Sequence, residues 1–103
     1  VRYGHISLYL SKKSVDAGNG ENRLTPKLAH LLEQFLRHPC QVLTRRELMQ
    51  RVWKTDYIGD TRTLDVHIRW VREHIEENPA KPKYLRTVRG KGYILAIPSN
   101  QSK

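Results

Sequence analysis

The chain has 103 residues and carries 19 Lys and Arg against 10 Asp and Glu, a formal charge of +9. That length excludes two large domains, and a 38% hydrophobic fraction supports one small core rather than a disordered tail. A pI near 10.1 favours a polyanionic partner, nucleic acid or an anionic membrane surface, with a basic surface that has no partner as the plain alternative. No apolar run approaches the roughly 20 residues of a transmembrane helix, and the N-terminus lacks the apolar core of a signal peptide. Membrane therefore ranks below nucleic acid. The single cysteine, Cys40, cannot form an internal disulfide and points to a reducing, cytoplasmic setting.

Ile6, Leu8 and Leu10 alternate with polar neighbours, the period of a strand with one buried face. Gly18-Asn19-Gly20 supports a turn, and Arg23-Leu24 returns as a short strand, so the chain opens with a small antiparallel sheet. Thr25-Pro26 then suits a helix start, with Leu28, Leu31, Leu32, Phe35 and Leu36 at helical spacing and His38-Pro39 as the stop. Thr44 and Glu47 have the spacing of a capping box ahead of a second helix, whose inner face is Leu48, Met49, Val52 and Trp53. A loop, Lys54 to Asp60, precedes a third helix from Arg62 to about Asn78, with a core stripe of Leu64, Ile68, Val71 and Ile75. Glu76-Glu77 read as the solvated end of that helix. Residues 84–88 and 93–97 are β-rich and flank Arg89-Gly90-Lys91-Gly92, a hairpin with a basic tip. One domain over residues 1–98 and a tail over 99–103 complete the expectation.

The charge is unevenly placed: +3 over residues 1–43 and +6 over residues 44–103. Drawn at about 100° per residue, the face of the third helix opposite its core stripe holds Arg62, Val66, Arg69, Trp70 and Glu73. Solvated helix faces normally mix Lys and Glu, so apolar residues set between arginines suggest contact with a partner. The DNA major groove offers paired acceptors on guanine, which arginine matches, and thymine methyl groups, against which valine or tryptophan packs. His67 and Arg72 stand at the edges of that face, placed for phosphates.

Several motifs, in order, carry a resemblance: Leu24-Thr25-Pro26-Lys27, Leu43-Thr44-Arg45-Arg46-Glu47-Leu48, Val52-Trp53, Thr61 to Arg69, and Arg86-Thr87-Val88-Arg89-Gly90-Lys91-Gly92-Tyr93. From Leu24 to Ile97 the chain resembles the effector domain of OmpR/PhoB-family two-component response regulators. The fold so implied is α+β, a winged helix-turn-helix with a three-helix core, an N-terminal antiparallel sheet and a C-terminal β-hairpin wing. The resemblance implies sequence-specific binding to double-stranded promoter DNA as a dimer, with the third helix in the major groove and the wing in the minor groove. By motif position Arg62, Val66 and Arg69 face bases, with Trp70 beside them; Arg45, Thr63, His67, Arg72 and Thr87 face the DNA backbone; Arg89 and Lys91 belong to the wing. Lys54, Asp56, Tyr57 and Asp60 lie in a loop that contacts RNA polymerase in some members. A receiver domain answering to a sensor histidine kinase would precede Val1.

Two departures are notable. Trp70 stands where many relatives carry a polar or basic residue, leaving three roles open: stacking on DNA, packing on a neighbouring subunit, or lying against Val66. Lys54 occupies a position where glycine is frequent.

Catalytic and cofactor roles find little support. Gly90-Lys91-Gly92 joins two strands, whereas a phosphate-binding loop needs a longer motif between strand and helix. Cys40 and His38 flank a proline and lack an orienting third group. The five histidines show no metal-ligand spacing. Neither enzymatic activity, a metal nor a cofactor is expected. A protein-interaction winged helix, or the same DNA-binding domain in a one-component or membrane-linked regulator, is the alternative.

Overall fold

The computed structural model describes residues 1–18, 20–55 and 62–97. Four strands come first: β1 (Arg2–Tyr3), β2 (Ile6–Tyr9), β3 (Ser14–Asp16) and β4 (Glu21–Arg23), paired antiparallel in chain order. The inward set of this sheet is Ile6, Leu8 and Val15. Leu10, placed by its alternation in the same buried set, lies beyond the end of β2 and is exposed, because the chain turns away after Tyr9. The turn into β4 uses Gly18 and Gly20, both at positive φ, a backbone state that costs glycine little.

Helix α1 (Pro26–Arg37) begins as its sequence predicts, with the Thr25 hydroxyl accepting from the Leu28 amide at 3.2 Å. Its stripe is buried throughout, and Phe35 has no exposed surface, a burial that contributes about 1.5–3 kcal/mol for a side chain of this size. After Pro39 the Cys40 amide donates to Leu95 O at 2.8 Å, which swings the chain onto the C-terminal hairpin. There it forms β5 (Val42–Thr44), a strand that local periodicity does not reveal.

Helix α2 (Arg45–Trp53) carries the full capping box: the Glu47 amide donates to the Thr44 hydroxyl at 3.1 Å, and the Thr44 amide donates to Glu47 Oε1 at 2.8 Å. It ends on Lys54 in the left-handed region at φ 58°, a backbone state that glycine adopts at lower cost. Met49 and Val52 are buried, whereas Trp53, read as core, is only half-buried and packs at the core's edge.

Helix α3 (Arg62–Ile75) buries Leu64, Ile68, Val71 and Ile75. It stops short of the expected Asn78. Strands β6 (Leu85–Val88) and β7 (Gly92–Leu95) form the hairpin, and β7 is the central strand of a sheet ordered β5-β7-β6. Gly90 turns the tip at φ 75°. Gly92, grouped by sequence with the turn, is instead a strand residue opposite Thr44 and Val88. A Cβ there would lie 2.1 Å from Leu43 O, so only glycine lets β5 approach.

Candidate nucleic-acid interface

Helix α3 has its buried stripe on one side and an exposed row on the other. Arg62, Val66, Arg69 and Trp70 are all exposed, and Val66 and Trp70 each retain 42% of their surface. These four residues line one open cavity of about 570 Å³ together with Arg45, Asp65, Arg72, Thr87 and Tyr93. The α2–α3 pair and the hairpin thus meet along a single basic concavity. Arg89 and Lys91 stand exposed at the hairpin tip. Thr63 is exposed on the first turn of α3, and its carbonyl accepts from His67 Nδ1 at 2.8 Å.

At the junction of α2, α3 and the hairpin, the residues are linked to one another. The buried Tyr93 hydroxyl donates to Asp65 Oδ1 at 2.7 Å and accepts from Arg45 Nη2 at 3.1 Å. Arg45 Nη1 lies 2.8 Å from the same carboxylate oxygen, an ion pair rather than a well-directed hydrogen bond. Burial first, and the bond to Asp65 second, push the Tyr93 phenol up to about 12. Arg72 is also drawn inward. Its Nε donates to Leu85 O at 2.9 Å and its Nη2 to the Thr87 hydroxyl at 3.0 Å, and burial lowers its pKa below the usual guanidinium range. Arg72 and Thr87, both read as facing the DNA backbone, are therefore bonded to each other across the helix-hairpin seam.

Glu76 corrects the sequence reading. It is not part of a solvated helix end: the side chain is 7% exposed, and its carboxylate accepts from the backbone amides of Lys83, Tyr84 and Leu85, the last at 2.7 Å. The physical reason is the early stop of α3. The chain doubles back after Ile75, and the amides entering β6, that of Leu85 fully buried, take the carboxylate as their acceptor. Glu77, its neighbour, is exposed. The roles of Tyr93 and Asp65 depend on a meeting of three elements that spacing along the chain does not encode.

The remaining site residues divide simply. Lys54 is exposed at the end of α2, while Asp56, Tyr57 and Asp60 lie outside the described residues. Among the described residues no group of His, Cys, Asp and Glu could hold a metal ion, and no helix is long and apolar enough to cross a membrane.

Three helices, an N-terminal antiparallel sheet and a hairpin beside an arginine-bearing third helix define a winged helix-turn-helix. The chain belongs to the family described as transcriptional regulatory protein, C terminal, which matches residues 19–95. It is 47% identical over 95 residues to the alkaline phosphatase synthesis transcriptional regulatory protein SphR of Synechococcus elongatus, covering 92% of this chain and 37% of that protein. It is 51% identical over 85 residues to the sensory transduction protein RegX3 of Mycolicibacterium smegmatis, covering 82% and 37%. The chain thus spans little more than a third of the curated relatives it matches. Among solved structures, the DNA-binding domain of Klebsiella pneumoniae RstA in complex with the RstA box superposes with a TM-score of 0.81 at 26% identity, covering 93% of this chain and 95% of that one. The DNA-binding domain of the response regulator AdeR in complex with an intercistronic region gives 0.76 at 28% identity, covering 95% and 100%.

Proposed function

We propose that this chain is the sequence-specific, duplex-DNA-binding effector domain of a two-component response regulator. The observation that carries this reading is the single basic concavity in which exposed Arg62, Val66 and Arg69 on α3 lie beside the hairpin. In this reading α3 enters a major groove, which admits one helix, and Arg89 and Lys91 reach the adjacent minor groove. Arg62 and Arg69 then serve guanine acceptor pairs, while Arg45, Thr63 and His67 meet phosphates. For His67 the bond from Nδ1 to Thr63 O makes Nε2 the ring nitrogen that would serve a phosphate. Arg72 and Thr87 act as a linked pair that sets the wing against α3.

The likeness to SphR and RegX3, named as regulatory and sensory transduction proteins, supports a wider scheme. A receiver domain elsewhere in the protein, phosphorylated by a sensor histidine kinase, pairs two copies on repeated half-sites and raises their effective concentration. The loop containing Lys54, Asp56, Tyr57 and Asp60 is then available to RNA polymerase. The setting is cytoplasmic and the role is non-enzymatic.

Selection of a binding site from random duplexes, followed by gel shift at two salt concentrations, tests the core of this reading. Arg69→Ala should cost about 1–3 kcal/mol on the selected site and relax base preference locally, with little loss on random duplex. Equal losses on both would overturn it. Arg45→Ala should weaken binding to all sequences alike and lower the salt slope by about one unit.

A further inference from the structure

Trp70 contributes nothing to the core, yet its ring is held in place. The His67 ring meets it edge-on at 5.1 Å and 62°, and the same imidazole meets Trp53 at 5.0 Å and 86°. The bond to Thr63 O fixes the imidazole in turn. An indole braced in this way, and still 42% exposed, keeps apolar surface in water with no internal return, which marks a contact surface. Val66, one turn earlier and equally exposed, continues the strip, and both line the cavity that also holds Arg45, Arg62 and Arg69.

Arg62 and Arg69 beside that strip, with Arg45 offset by Asp65, leave the cavity net positive and favour a polyanion, and an apolar surface inside a polyanion's groove has one prominent complement: the C5-methyl of thymine. We infer that Trp70 is a specificity-determining residue that seats a thymine methyl group at one position of the half-site. The contact is uncharged and releases no counterions, so it adds affinity that salt does not remove. This inference rests on the duplex-DNA reading above. A second copy or another protein seated on Trp70 would leave the methyl group without effect, and the test separates these cases.

The experiment uses the selected duplex and a set of probes in which each thymidine is replaced in turn by deoxyuridine, titrated by fluorescence anisotropy. For the wild-type chain, removing one particular methyl should weaken binding about fourfold, the size of one buried methyl group. Trp70→Ala should bind more weakly than wild type, with the same salt slope, and should be indifferent to that methyl. Trp70→Phe should restore part of the discrimination, and Trp70→Arg should raise the salt slope by about one unit while losing it. The inference fails if wild type ignores every thymine-to-uracil change. It fails equally if Trp70→Ala keeps the full wild-type response, or if it binds the unmodified site as tightly as wild type. Wild-type and Arg69→Ala binding to selected and random duplexes are run alongside. If wild type fails to distinguish those duplexes, the duplex-DNA reading itself has failed; if it distinguishes them without any methyl effect, only the Trp70 assignment has. Far-ultraviolet circular dichroism of each variant confirms that α3 remains folded.

Discussion

Arg69 and Arg72 lie three residues apart on α3 and line the same concavity, but one belongs to its exposed row and the other to the helix–hairpin seam. Arg69 is exposed in the open concavity with Val66 and Trp70, whereas Arg72 bonds to Leu85 O and the Thr87 hydroxyl at the seam. The exposed row keeps cations and apolar groups in water; the seam satisfies its polar groups internally, through Asp65, Arg72, Glu76, Thr87 and Tyr93. The first region suits binding because a partner would complete it. The second suits rigidity, because it fixes the hairpin against α3 before any partner arrives, and a contact set that is already ordered loses less entropy on binding.

The comparison is broken most severely at Glu76. Glu76→Ala should destabilise the chain by roughly 2–3 kcal/mol in urea unfolding, since the buried Leu85 amide and the part-buried Lys83 and Tyr84 amides lose their acceptor. A change below about 0.5 kcal/mol, the range of an ordinary surface substitution, would show the carboxylate to be dispensable. Arg72→Ala should cost about 1–2 kcal/mol of stability for two lost hydrogen bonds, while Arg69→Ala should stay within about 0.5 kcal/mol and weaken binding to the selected site instead. Matching stability losses for the two would erase the distinction.

Tyr93 sharpens the comparison through pH. Its phenol is held up to about 12 from an ordinary value of 10.0, so between those values the folded chain keeps a proton that the unfolded chain has released. The stability linked to this group is fully present below pH 10 and is lost as pH rises toward 12. Screening by solvent limits the loss to about 1 kcal/mol. Urea midpoints for wild type and Tyr93→Phe, measured at pH 9 and at pH 11.5, should converge at the higher pH; a constant gap would refute the linkage. The smallest effect belongs at the end of α2, where Lys54 holds φ 58°. Lys54→Gly should stabilise by at most about 1 kcal/mol by relieving that backbone state, partly offset by glycine's greater freedom in the unfolded chain. The thermal midpoint would register it.

Both sheets are antiparallel, but they differ in how openly the sequence declares them. The N-terminal sheet pairs neighbours in chain order, so the alternation of Ile6 and Leu8 and the glycines of the turn mark an antiparallel sheet there, although the two-residue β1 and three-residue β3 are too short to show a period. The second sheet brings Val42–Thr44 against Gly92–Ile94, fifty residues away, and a three-residue strand is too short to show a period. Gly92 was misread for the same reason: its constraint comes from Leu43 O, a group remote in sequence.

What the sequence determined by itself were the three helices, the N-caps of α1 and α2, the hairpin and the exposed row of α3. Each of these depends on contacts or spacings within a few residues, where helical and strand periods and capping chemistry act directly. The tertiary structure alone decided which polar side chains turn inward. Arg72, Glu76 and Tyr93 are polar residues that a helical wheel or strand pattern assigns to solvent or leaves without a role, yet at the meeting of α2, α3 and the hairpin they find partners, the exposed Asp65 among them, brought together from residues 45 to 93. A buried polar group is tolerated only where such partners converge, and convergence is a property of the folded chain.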